Sequence, residues 1–91
     1  MTLREKCDPA LATIRNAIKA LPPRGYEQVI RGMEEARYMA FSALENLQTD
    51  QASEWCKTLE EAAMQLPEAQ AGVKASILRG VNRIRDRIKG R

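Results

Sequence analysis

Leu21-Pro22-Pro23 cannot lie inside a continuous helix, because proline has no amide hydrogen to donate and disfavours α geometry in the residue before it. One helix must stop at about Leu21, and everything after Gly25 reads as another. In that second segment the apolar residues fall at Val29/Ile30, Met33, Ala36, Ala40, Ala43/Leu44 and Leu47, the three-and-four spacing of a single stripe. Glu27, Arg31, Glu34, Glu35 and Glu45 occupy the remaining positions. Two amphipathic helices around a proline turn predict an αα-hairpin. A helix from about Tyr26 to Leu47 is roughly 33 Å long at ~1.5 Å per residue. That exceeds the expected length of its neighbours, so its overhang calls for a partner.

Upstream, Thr2 and Glu5 fit a capping box, while Asp8-Pro9 is an equally good helix start. The stripe Leu3, Cys7, Leu11, Ile14, Ile18, Leu21 keeps phase through Pro9. The expectation is a short first turn, a break or kink near Asp8, and a main helix to Leu21. Downstream, Gln48-Thr49-Asp50-Gln51 is a polar break with two candidate caps. A third helix follows with Ala52, Trp55/Cys56, Leu59, Ala62/Ala63 and Leu66 on one face. Pro67-Glu68 ends it and opens a fourth, whose stripe is Val73, Ile77, Val81, Ile84 and Ile88. Gly72 and Gly80 either permit close backbone approach there or weaken the helix by ~1 kcal/mol each. The fold class is therefore all-α: two consecutive αα-hairpins, about residues 3–47 and about 50–89, forming a small four-helix bundle in a single domain, 1–91. The halves share a helix, Leu-Pro, longer-helix pattern, which a duplication and ordinary hairpin grammar explain equally well.

Composition bounds what such a bundle does. With 44% hydrophobic residues, much of it alanine, and 4% aromatics, the core should be thin, better suited to close helix contact than to a wide enzyme pocket. At 91 residues a single core is marginal, so a homo-oligomer is expected. No apolar run approaches the ~20 residues needed to cross a bilayer, and MTLREKCDPA lacks the apolar segment of a secretory signal, which points to the cytoplasm. Cys7 and Cys56 have no framework spacing and read as reduced packing residues. There is no histidine, which excludes Ser-His-Asp and Cys-His catalysis and argues against a metal site or cofactor. Small helical mutases similar to chorismate mutase manage without histidine, but Thr13-Ile14-Arg15-Asn16-Ala17-Ile18-Lys19 lacks the acid of their N-terminal signature. The chain is not expected to be an enzyme.

The net charge of +3 conceals an asymmetry. Residues 74–91 carry seven basic residues against Asp86 alone, leaving the first 73 at −3. Arg79, Arg83 and Arg87 share an outer face with Ser76, either as a row of guanidinium forks for an anionic partner or as a solvated helix surface. The turn Pro22-Pro23-Arg24-Gly25-Tyr26 sets an arginine and a tyrosine beside a helix N-terminus, where amide protons favour an anion and an aromatic face can stack on a base. Tyr26 as a packing staple is the alternative. Arg31, Arg37 and Tyr38 extend this candidate ligand-binding set along the second helix.

The segment GMEEARYMAFSAL, residues 32–44, preceded by ALPPRGYEQ, resembles the helical hairpin shared by phage anti-CBASS cyclic-oligonucleotide sponges and related Thoeris anti-defence proteins. The likeness lies in a helix, a proline-containing turn and a helix core, here Met33-Glu34-Glu35-Ala36-Arg37-Tyr38-Met39-Ala40, and covers about a third of the chain. It implies an oligomeric phage counter-defence protein, cytoplasmic in an infected bacterial host, that sequesters cyclic oligonucleotide messengers without cleaving them. No binding residue is carried over from the family. The competing expectation is an anti-CRISPR-like inhibitor or adaptor that docks on a macromolecular partner, a host defence protein or a nucleoprotein, through its basic last helix or its long second helix. Direct DNA or RNA binding is not favoured at this modest net charge.

Overall fold

The computed structural model describes residues 1–90; Arg91, counted above in the basic tail, lies outside the described residues. Four helices form: α1 (Leu3–Lys19), α2 (Glu27–Glu45), α3 (Thr49–Met64) and α4 (Ala71–Lys89). Their contacts run α1 to α2, α2 to α3, α3 to α4 and α4 back to α1, which places α1/α3 and α2/α4 on the diagonals of a square bundle. The most intimate pairs are α1 with α4 and α2 with α3, so each hairpin packs more closely on the other than on itself.

Helix α1 begins at the capping box: the Thr2 hydroxyl accepts from the Glu5 amide at 3.2 Å, and the Glu5 carboxylate accepts from the Thr2 amide at 3.0 Å. The break expected near Asp8 does not form. Pro9 sits inside one uninterrupted helix, because Leu3 and Cys7 are buried on the same stripe as Leu11, and tertiary packing holds the first turn in line. The helix stops at Lys19, two residues earlier than expected, as the Ala20 and Leu21 amides tighten onto Ala17 and Ile18 carbonyls ahead of Pro22. Leu21 is still buried. The turn then passes through Gly25 at φ +88°, a left-handed conformation that a side chain would strain.

The second turn is built differently. The Leu47 amide donates to the Leu44 carbonyl and the Gln48 amide to the Ala43 carbonyl, a Schellman cap with Leu47 at φ 58° where glycine is usual. This lifts Leu47 off the α2 stripe, and it is 58% exposed. Helix α2 therefore ends at Glu45, short of the expected Leu47, yet with 19 residues it remains longer than its neighbours α1, with 17, and α3, with 16. After Pro67, a 3-10 turn, Glu68–Gln70, precedes α4, which starts at Ala71 rather than at Pro67-Glu68.

Val29 is also exposed, but the remaining stripe residues meet in or pack against a core that contains no buried polar or charged residue among those described. Seven of its members are alanines, including Ala40, Ala52 and Ala63 at full burial, so the helices are drawn close and the core is thin. Contact is tightest at Gly80, where a Cβ would lie 2.5 Å from Ile14 Cγ1 and 3.0 Å from the Ala10 carbonyl oxygen. Gly72 and Gly32 have nothing within 4 Å. Cys7 and Cys56 are free and fully buried, and burial pushes the Cys56 thiol up to about 11.

Two outcomes are expected. Gly80→Ala should destabilise by about 1–3 kcal/mol through overpacking, whereas Gly32→Ala, in open space within a helix, should stabilise by ~0.5–1 kcal/mol. Urea midpoints moving in opposite directions at constant m-value would establish both. The thiols should resist iodoacetamide at about pH 8 in the native state and react at two equivalents in denaturant; native alkylation at either position would contradict the burial.

Candidate functional site

The helical period puts Arg79, Arg83 and Arg87 along the edge of α4 that borders α1. Gly80 lets the α1 and α4 backbones close at this seam, with Ile14 and the Ala10 carbonyl in the space a Cβ would need. Lys6, Pro9 and Ala10 of α1 and Arg83, Asp86 and Arg87 of α4 line an open cleft of about 400 Å³. Along the same seam Thr13, Asn16, Ala17 and Ala20 face Gly72, Val73 and Ser76 across a second depression of about 500 Å³. Arg79 donates to Ser76 Oγ at 3.2 Å between the two. Lys6, Arg83 and Arg87 make no ion pair within 4.0 Å among the described residues, so three cations are available at one cleft with a single neighbouring carboxylate. Such an arrangement suits several phosphate or carboxylate oxygens presented along a surface, not one enclosed small molecule.

Not all of the basic helix contributes. Arg85 turns the other way and forms a bidentate pair with Glu60 of α3 at 2.9 and 3.2 Å. That hydrogen bonding holds the Glu60 carboxyl below its ordinary value and raises Arg85. Arg4 is likewise engaged, 2.9 Å from Asp8 and 3.7 Å from Glu45, with its guanidinium 5.5 Å from the centre of the Phe41 ring. These two arginines tie helices together, as hydrogen-bonded pairs of this kind do.

The proposed ligand set on the first turn and α2 is spread out. Arg24 is exposed in the turn, and Tyr26 is half-buried against the core. Arg31 and the 63%-exposed Tyr38 lie on the outer surface of α2 two turns apart. Tyr26 and Tyr38 are separated by roughly 18 Å of helix at ~1.5 Å per residue, so the five residues do not line one pocket within a chain. Arg37 alone lines a cleft, of about 200 Å³, together with Arg15, Ile18, Lys19 and Glu34. Its Nε donates to the Leu11 carbonyl at 2.8 Å, and burial, then Arg15, lowers the guanidinium from its ordinary value. The contribution of α1 to both cationic clefts was missed from sequence. Lys6, Arg15 and Lys19 lie outside the α1 apolar stripe, a signal that marks them as surface residues without saying which neighbour they adjoin.

No group of three or more potential metal ligands occurs among the described residues, and no helix is long and apolar enough to cross a membrane. Comparison of the chain with protein-family models, curated proteins and solved structures gives no match.

The Glu60–Arg85 pair generates a pH signature. Because Glu60 is depressed in the folded state, its contribution should be full above the ordinary carboxylate value of 4.5 and be lost as pH falls through the lower folded value. Comparing urea midpoints for wild type and Glu60→Gln across the acid range should show a gap that closes on acidification; a gap that persists would assign the effect to packing.

Proposed function

We propose that this chain is a docking protein that binds a phosphate-bearing nucleoprotein partner through the basic face shared by α1 and α4, as an inhibitor or adaptor acts, and not as a catalyst. The carrying observation is the convergence of Lys6, Arg83 and Arg87, free of ion pairs among the described residues, on an open cleft between α1 and α4. Arg79 extends the row by one turn. Charge on an open surface recruits polyanions by counterion release, and the affinity of such a surface falls steeply with salt. The contacts go to phosphates, so they position the partner without reading its sequence.

A second reading follows from the resemblance to cyclic-oligonucleotide sponges. The cleft at Arg37, with Arg15 and Lys19 beside it, supports this reading as a place for one phosphate of a small ligand. Arg24, Tyr26, Arg31 and Tyr38 would then have to come from a second copy, in keeping with a homo-oligomer.

Fluorescence anisotropy with a labelled single-stranded oligonucleotide and, separately, a labelled cyclic dinucleotide distinguishes the two. The docking reading expects oligonucleotide binding that Arg83→Glu/Arg87→Glu weakens by about tenfold or more, with a salt slope reduced by about two. Arg37→Ala should leave it unchanged. Cyclic-dinucleotide binding abolished by Arg37→Ala alone would replace docking with the sponge. Binding of neither probe by wild type at low salt would remove both.

A further inference from the structure

The bundle's charge is divided between opposite edges of the square. Of the ten basic and three acidic residues of α1 and α4, Lys6, Arg83, Arg87 and Asp86 line the outer seam and Arg79 stands one turn on, while Arg4, Arg15, Lys19 and Arg85 turn towards α2 or α3; α2 and α3 carry three basic and eight acidic residues, of which Glu34, Glu45 and Glu60 turn towards α1 or α4. The acidic edge has its own groove, a cleft of about 270 Å³ that includes Val29, Gly32, Met33, Ala36, Thr58 and Ala62. Its floor is almost wholly apolar and small, and Val29 and Met39 on its α2 side are each 37% exposed. The exposed carboxylates Glu35, Glu54 and Glu61 adjoin it in helical register, with the exposed Arg31 one turn before Glu35, so the face keeps an excess of acid. The α1/α4 seam is the counterpart, lined by the small residues Ala10, Ala17 and Gly72 and by Lys6, Arg83 and Arg87, with Arg79 bonded to Ser76 beside it.

We infer that copies of this chain associate head to tail, the basic α1/α4 face of one seated on the acidic, apolar-floored α2/α3 face of the next. Two like faces brought together repel, which disfavours a twofold dimer through either, while unlike faces attract. The two faces are antipodal, so a contact of this kind does not close on itself and generates an open row. The Cα trace of the bundle extends 38 × 19 × 18 Å, which bounds each side face at about 38 × 19 Å. Its projected area, roughly 700 Å², is close to the ~800 Å² per partner of a standard interface. The rows dissolve in high salt, because the rim charges are solvent-exposed and screened over about 10 Å at 0.1 M. A polyanion on α1/α4 competes with the row for the same surface. The inference rests on the charge division alone and stands whether or not that face also binds nucleoprotein.

Sedimentation velocity of the full chain at about 20 mM and about 500 mM salt tests it. Wild type should form concentration-dependent species larger than a dimer at low salt and revert to monomer at high salt. Arg83→Glu/Arg87→Glu alone and Glu54→Lys/Glu61→Lys alone should each remain monomeric, with helical circular dichroism unchanged. Mixed one to one, they should reassemble, because each altered face meets its complement on the other variant. Wild type that stays monomeric at low salt, or a closed dimer indifferent to these substitutions, overturns the inference. Wild type that assembles while the mixture stays monomeric also overturns it, because the two faces then do not meet. Oligonucleotide binding without self-association defeats this inference alone, and self-association without oligonucleotide binding defeats the docking reading alone.

Discussion

The approach of α4 to α1 at Gly80 sets the geometry on which the rest of the bundle depends. With no side chain at that position, Ile14 and the Ala10 carbonyl fill the space where a Cβ would stand. Two backbones that close cannot present bulky residues along their seam, and the small residues Ala10, Ala17 and Gly72 line the outer surface there. Lys6, Arg83 and Arg87 line it as well. The same packing that joins the two hairpins thus produces the cationic cleft, with no loop or strained residue required to build it.

Most of the interior was readable from periodicity alone. The α1 stripe from Leu3 to Leu21 is buried throughout, and so are Met33, Ala36, Leu44, Cys56, Leu59, Ile77 and Ile84. The errors fall where local rules compete with tertiary ones. Pro9 is a helix breaker by propensity, but buried Leu3 and Cys7 keep the helix continuous through it. Leu47 continues the α2 period on paper, yet the chain uses it as a left-handed cap, a role for which glycine is the recognisable signal. Gly72 and Gly80 look alike in sequence; only the register of α4 against α1 makes one a contact and leaves the other exposed.

The charged surface was legible one helix at a time. That Arg79, Arg83 and Arg87 form a row follows from their spacing, but that Lys6 joins them depends on which helix lies alongside. Arg85 shares the same helix and composition, and is nevertheless taken up by Glu60, 25 residues away. Arg37 belongs by its place on the second helix to the candidate ligand-binding set, but its hydrogen bond to the Leu11 carbonyl is a long-range contact that no local pattern announces. The division of charge into two opposite edges likewise emerges only when α1 is paired with α4 and α2 with α3. Net charge, which sums the edges, hides it.

A core built without a buried polar residue among those described has a consequence for how such a chain changes over generations. Apart from the half-buried bond of Arg37 to the Leu11 carbonyl, the described helices are held in register by shape, by the turns and by a few clamps at the surface. Apolar side chains of similar volume exchange at modest cost in interiors of this kind. Drift should therefore run freely through Leu11, Ile18, Leu59 and Ile77 while conserving their total volume, and be arrested at Gly80 and Gly25, where no side chain of any chemistry fits without strain. The inheritance of this bundle lies less in which residues it keeps inside than in two places where it keeps nothing.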